Sequence, residues 1–130
     1  MTLVGLYAGL LGVLYLVLCY RVVALRRRHR IGVGDGDNVE LQKAIRVQAN
    51  FIEYVPLILL LMISLSTGFT QAWAFHLSGA VLLIARSLHA FGLGKTLGTS
   101  FGRYWGIVLT WLLLLVLSLA NAVVFIAQLS

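Results

Sequence analysis

Gln42, Arg46, Asn50 and Glu53 follow one another at spacings of four, four and three, which puts them on one face of a helix. Arg86 and His89, three apart, share a face in the same way, and Arg21 and Arg103 stand at the edges of two long apolar stretches. In this set Arg21, Arg46, Arg86 and Arg103 outnumber the carboxylate of Glu53, and His89 can take or release a proton near neutrality. A pocket so lined suits an anionic, partly amphipathic ligand, because the planar arginine fork grips carboxylates in pairs. The same field lowers the pKa of a ligand thiol and raises its thiolate fraction. Carboxylates, phosphates and thiolates all fit that description, and residue types alone do not choose among them. The bland alternative is that the arginines snorkel to headgroups while Glu53 pairs with Arg46 or Arg86 as glue between helices.

Other chemistry fails on spacing. Gly94-Lys95-Thr96 resembles the end of a phosphate loop, but the leading glycine position is His89. Asp35-Gly36-Asp37 hints at a calcium loop, yet the next ligand position is Val39 and the glycine position is Glu40. His29, His76 and His89 have no metal-ligand spacing, and the single Cys19 adds none, so no metal site is expected.

The elements that carry these residues follow from the charge distribution. Of 130 residues only 14 are charged, and 61% are hydrophobic. Eleven charges fall between Arg21 and Glu53; the rest are Arg86, Lys95 and Arg103. Residues 1–20, 54–85 and 104–130 contain no Asp, Glu, Lys or Arg. A water-soluble domain of this size cannot hide so much apolar surface, and a disordered chain does not have this composition. One membrane crossing takes about 20 helical residues. The first and last stretches supply one each. The middle stretch of 32 residues is too long for one crossing and too short for two. It is interrupted at Ser66-Thr67-Gly68-Phe69-Thr70, where a turn is favoured. Both middle helices must therefore extend into the flanking charged blocks, and Arg46, Asn50, Glu53, Arg86 and His89 become helical residues within the membrane's reach. The expectation is an all-α integral membrane protein, one domain of four spanning helices near 2–26, 41–66, 70–92 and 102–128. Pro56 is expected to kink the second.

Arginine and lysine concentrate in the first and third connections, so both termini are expected outside and the polar face at the cytoplasmic side. Tyr20, Tyr104 and Trp105 mark the expected inner interface and Trp73 the outer. The first helix lacks a basic leader and cleavage site and reads as retained. Cys19 reads as a small buried hydrophobe. His76 and Asn121 read as interhelical hydrogen-bonding residues; Gly5-x-x-x-Gly9 with Ala8 and Gly12 would allow close helix packing, but such a pattern is common in spans and weak alone. The net charge of +6 abuts a span, so anionic lipid headgroups rather than nucleic acid are the expected partner.

Gly34-Asp35-Gly36, Glu40-Leu41-Gln42 and the run Ala44-Ile45-Arg46-Val47-Gln48-Ala49-Asn50-Phe51-Ile52-Glu53-Tyr54-Val55-Pro56 together resemble the signature of the MAPEG family. These are membrane-associated proteins in eicosanoid and glutathione metabolism, and the likeness is to the bacterial branch. Ala85-Arg86-Ser87-Leu88-His89-Ala90-Phe91-Gly92 is similar to the family's third-helix motif, and Phe101-Gly102-Arg103-Tyr104-Trp105-Gly106 to its fourth-helix start. The resemblance implies a bacterial inner-membrane homotrimer, with glutathione as co-substrate bound between subunits near the cytoplasmic face. It implies that Arg103 stabilises the thiolate and that Arg46, Asn50, Glu53, Arg86 and His89 contact the tripeptide. Arg21 or Arg26 would be the basic residue at the end of the first helix that also takes part. Two departures stand out. Eukaryotic enzymes of the family carry an arginine where this chain has Ala49, and a tyrosine where it has Leu93.

The leading expectation is a glutathione-dependent transferase or peroxidase acting on lipophilic electrophiles dissolved in the membrane. The Ala49 and Leu93 departures motivate an alternative, a non-catalytic protein of the same fold that binds a lipid or another anionic ligand. A third class, small four-helix efflux transporters, needs a membrane-embedded carboxylate. Glu53 is the sole candidate, and the arginines that outnumber it suit anions better than cationic drugs.

Overall fold

The computed structural model describes residues 3–68, 71–95, 98 and 100–129, apart from the side chains of Gly94 and Lys95. All of its regular structure is helical: α1 (Leu3–His29), α2 (Val39–Ser66), α3 (Ala72–Lys95) and α4 (Phe101–Leu129). Each is long and apolar enough to cross a membrane. The first and third connections lie at one end, here called the basic end. Phe69 and Thr70 of the expected second turn lie outside the described residues, as do Thr96 and the Lys95 side chain.

The helices reach further into the charged blocks than the sequence reading places them. α1 continues through Arg26, Arg27, Arg28 and His29, where basic side chains oppose the negative end of the helix dipole. α2 begins two residues early because Asn38 caps it, its side chain accepting the Leu41 N–H at 2.9 Å. It then runs unbroken through Pro56 to Ser66. The loop before it is held by side chains. Asp35 accepts from the Gln42 amide (3.0 Å) and from the Asp37 N–H (3.1 Å), and these bonds, the Gln42 one foremost, hold its carboxyl below the usual carboxylate range.

α3 and α4 form the most extensive pair, and α2, like α3, touches the other three helices. The buried face of α2 is Leu41, Ala44, Val47, Phe51, Val55, Ile58, Met62 and Leu65, a run of three- and four-residue steps along one stripe. Ile52 lies off this stripe and is exposed. α1 buries a narrow seam, Val4, Leu11, Leu18 and Leu25, and leaves the rest of its surface outward.

Polar groups join the helices between these apolar seams, as interhelical hydrogen bonds do in membranes. The Tyr7 hydroxyl and His76 Nδ1 lie 3.2 Å apart across α1 and α3. Asn121 of α4 donates to the Leu61 carbonyl of α2 at 3.1 Å. Gln48 donates to the Tyr15 hydroxyl at 2.8 Å and points its amide at Cys19 Sγ at 3.8 Å. His76 and Asn121 are thus interhelical, as expected, while Cys19 is half-buried beside a polar group. Gly9 and Gly12 of α1 leave that opportunity unused within one chain. A Cβ on Gly9 or Gly12 would meet nothing within 4 Å. Close packing occurs elsewhere: at Gly79, against the Tyr7 ring, and along α3–α4 at Gly92, Gly102 and Gly106.

Candidate functional site

The seam between α3 and α4 near the basic end is built one helical turn at a time. At its outermost turn Gly92 meets the Arg103 backbone and Gly102 approaches the Leu88 carbonyl. One turn further in, Gly106 lies against the Ala85 carbonyl and the backbone of His89, 2.7 Å from where its Cβ would stand. At the next turn Thr110 faces Arg86, whose Nη1 donates to the threonine hydroxyl at 3.3 Å. Arg103, Gly106 and Thr110 recur at three- and four-residue spacing and share one face. Glycine at the middle rung lets the backbones approach closely enough for an arginine and a threonine to meet inside an apolar bundle.

Arg86 is the centre of this arrangement and is only 1% exposed. Its Nη2 donates to Asn50 Oδ1 of α2 at 2.6 Å and to His89 Nδ1 at 3.2 Å. Arginine has no acceptor, so the second contact assigns the acceptor role to His89 Nδ1 and the proton of the neutral ring to Nε2. The guanidinium carbon lies 6.0 Å from the Phe51 ring centre and 5.9 Å from that of Tyr54, close enough for cation–π attraction. Asn50 passes the network outward, its Nδ2 reaching Glu53 Oε2 at 3.4 Å. The Arg86 Nε is buried without a hydrogen-bond partner among the described residues.

Arg103 sits in the first turn of α4 and is half-buried. Ser100 caps that helix, its hydroxyl accepting the Arg103 N–H at 3.3 Å and its carbonyl the Tyr104 N–H at 2.9 Å. The Arg103 Nη1 donates to the Gly98 carbonyl at 3.1 Å. A guanidinium at a capped helix N-terminus adds its charge to the positive end of the dipole, which favours a nearby anion.

The remaining candidates do not gather inside the chain. Arg46 and Glu53 are exposed on the outward side of α2, and Arg21 is exposed on α1. The sequence reading takes the whole set as converging on a pocket between helices; within one chain Arg86 gathers Asn50 and His89, Glu53 is reached through Asn50 alone, and Arg103 lies further along the same seam. The reason is the rotation of α2. Its apolar stripe faces the other helices, so the polar stripe beside it turns outward, and only Asn50 lies where the two meet. Burying Arg46 and Glu53 among apolar helices would have cost several kcal/mol per ion. Arg26 serves the loop: its Nη1 donates to the carbonyls of Gly34 (2.8 Å) and Gly32 (3.3 Å). Leu93, at the position of the eukaryotic tyrosine, is buried in the apolar core.

Thr110, Ser100 and the ring pair Phe51 and Tyr54 were not picked out from the sequence. Thr110 was the most legible of these, a hydroxyl seven residues after Arg103 in an otherwise apolar run.

Comparison with known proteins agrees with this architecture. The sequence profile of the MAPEG family matches residues 4–123. The chain is 38% identical over 117 residues to the Inner membrane protein YecN of Escherichia coli K12, covering 90% of this chain and 88% of that protein. The protein of the same name from Escherichia coli O6:H1 matches to the same extent. A profile match over nearly the whole chain, on four helices long and apolar enough to cross a membrane, identifies this chain as a member of the MAPEG family.

Proposed function

We propose that the protein is a glutathione-dependent transferase or peroxidase acting on lipophilic electrophiles dissolved in the membrane. In this reading it works as a homotrimer in the bacterial inner membrane, with both termini periplasmic and the site facing the cytoplasm. The observation that carries the reading is the α3–α4 seam: Arg103 at the capped, positively polarised start of α4, one turn from His89 and two from Arg86, beside the outward Asn50–Glu53 edge of α2. The donor set fits glutathione. Arg46 and Arg103 offer forks for its two carboxylates or its sulfur, and Glu53 offers an acceptor for its amino group. The outward placement of Arg46 and Glu53 suits a ligand held between neighbouring subunits. An inner-membrane location agrees with the name of the relative YecN.

Glutathione supplies the nucleophilic sulfur. Arg103 and the α4 dipole favour the thiolate over the thiol at neutral pH. Arg86 does not reach outward; by holding Asn50 and His89 it fixes the wall against which the tripeptide lies. In transfer, sulfur bonds to an electrophilic carbon as the leaving group departs with the bonding pair. In reduction of a peroxide, a sulfur–oxygen bond forms as the oxygen–oxygen bond breaks, and the departing alkoxide takes a proton.

Titration of glutathione into the purified protein, followed by thiolate absorbance and by conjugation of a generic lipophilic electrophile, tests the reading. Arg103→Ala is expected to lower the conjugation rate about 10²-fold or more with the oligomer unchanged. Absence of glutathione binding to the wild-type protein overturns it. The burial of Leu93 in the apolar core, with Ala49 removing a further cation, favours a second reading: a non-catalytic MAPEG protein that binds a lipid or another anion at the same seam. That reading is supported by anion binding without conjugation and is excluded if Arg103→Ala abolishes conjugation.

A further inference from the structure

Thr110 is wholly buried inside the bundle, yet its hydroxyl begins a hydrogen-bonded chain that ends on the outward side of α2. The hydroxyl donates to the Gly106 carbonyl at 2.7 Å, which leaves its lone pairs to accept from Arg86 Nη1 at 3.3 Å. Arg86 Nη2 donates to Asn50 Oδ1 at 2.6 Å, and Asn50 Nδ2 reaches the exposed carboxylate of Glu53 at 3.4 Å. Every link has one possible polarity. Arginine only donates and an ionised carboxylate only accepts, so the Asn50 amide between them stands one way round.

Thr110 matters to that chain because of the way Arg86 is held. Two of the arginine's contacts, Asn50 Oδ1 and His89 Nδ1, fall on the same nitrogen, Nη2. Its Nε is buried without a hydrogen-bond partner among the described residues. The rings of Phe51 and Tyr54, 6.0 and 5.9 Å from the guanidinium carbon, attract the charge without fixing the direction of any N–H. Contacts on one nitrogen make a pivot, and a contact on a second nitrogen fixes the plane. Thr110 supplies that second point, at Nη1.

We infer that Thr110 is a positioning residue: from inside the bundle, through Arg86 and Asn50, it holds the Glu53 carboxylate in the orientation that receives a ligand's amino group, and so sets the preference of the site for an amino-bearing ligand. The inference rests on the glutathione reading above, in which Glu53 accepts from that group. Thr110 itself touches no ligand. Without its hydroxyl, Arg86 swings about Nη2, Asn50 turns with it, and Glu53 loses the donor that orients it. Direction is lost rather than charge. The ligand's carboxylates still meet Arg46 and Arg103, whereas its amino group meets a carboxylate no longer aimed at it.

The test compares glutathione with its deaminated analogue, in which hydrogen replaces the amino group, by calorimetric titration of the purified protein in detergent. Wild type is expected to bind glutathione more tightly than the analogue. Thr110→Val, which removes the hydroxyl at nearly constant shape, is expected to cut that preference about fivefold, and Thr110→Ser, which keeps the hydroxyl, to retain it. Lost packing or stability weakens both ligands alike and cancels in the ratio. A purely structural role therefore leaves the preference of Thr110→Val at the wild-type value, which overturns the inference and leaves the glutathione reading standing. Equal binding of the two ligands by wild type also overturns the inference. Wild type that binds neither overturns the glutathione reading, and the inference falls with it. If Thr110→Val does not fold, Thr110→Ala lacks the same hydroxyl and is expected to show the same fivefold loss; an unchanged ratio there overturns the inference equally.

Discussion

Arg86 shows how a charged side chain is accommodated at membrane depth without a carboxylate in direct contact. Its charge is spread over Asn50 Oδ1, the Thr110 hydroxyl, His89 Nδ1 and two aromatic rings, neutral acceptors and π faces that together replace water. Removing one of them leaves a donor on a buried cation unsatisfied, which costs more than the bond itself contributed. Asn50→Ala is therefore expected to destabilise the protein by about 1.5–3 kcal/mol in detergent unfolding. Thr110→Ser keeps the acceptor and is expected to be nearly neutral, whereas Thr110→Val, close in shape but without the hydroxyl, loses about 1–2 kcal/mol. If valine is tolerated as well as serine, the Thr110 contact contributes nothing. That Arg86, His89 and Asn50 act together was legible in the sequence from their types and their shared depth. The rotation of α2 that keeps Glu53 from direct contact was not, because spacing places a residue on a face but not in a partner's reach.

At the scale of the helices, the decisive contact is glycine against backbone. Gly106 lies under the Ala85 carbonyl and the His89 N–H, each 2.7 Å from the place of an added Cβ. Gly106→Ala must push α4 away from α3 and is expected to cost about 1–3 kcal/mol and to loosen the Arg86–Thr110 bond. Gly9→Ala meets open space and is expected to leave the Tm of the chain unchanged or slightly raised, since alanine favours the helix. Equal effects from the two substitutions would mean that α3–α4 contact does not depend on that glycine. The glycine pattern of α1 is the more conspicuous one in the sequence, yet the packing uses the scattered glycines of α3 and α4. A four-residue repeat reports that a close approach is permitted; which helix accepts it depends on the partner surface, here the Ala85–His89 turn.

For the whole molecule, the outward face of α2 is the telling feature. Thirteen residues separate Glu53 from the end of α2 at Ser66, about 20 Å along the axis, so the carboxylate falls well inside a hydrocarbon layer about 30 Å thick. A charge facing lipid at that depth is expensive, so groups of this kind are almost always covered by protein or by a polar ligand. On the reading proposed above, neighbouring copies do the covering. Native mass spectrometry in a mild detergent is expected to give three chains per particle. A purely monomeric protein that retains its fold would instead require Arg46 and Glu53 to tolerate the bilayer alone.

The sequence by itself determined the class, the number of helices and the set of polar residues placed at one end of them. Those depend on local quantities: a bilayer fixes how many apolar residues a crossing needs, and a helix of 3.6 residues per turn fixes which side chains share a face. Tertiary structure alone decided how each helix is rotated, and so which of the polar residues face one another. Turning the apolar stripe of α2 inward gave Asn50 to Arg86 and left Arg46 and Glu53 outside, and the close contact of Gly106 with α3 set the depth at which Thr110 meets that same arginine. Rotation and depth come from the sum of many small packing contacts between chain segments far apart in sequence, and no window along the chain contains that sum.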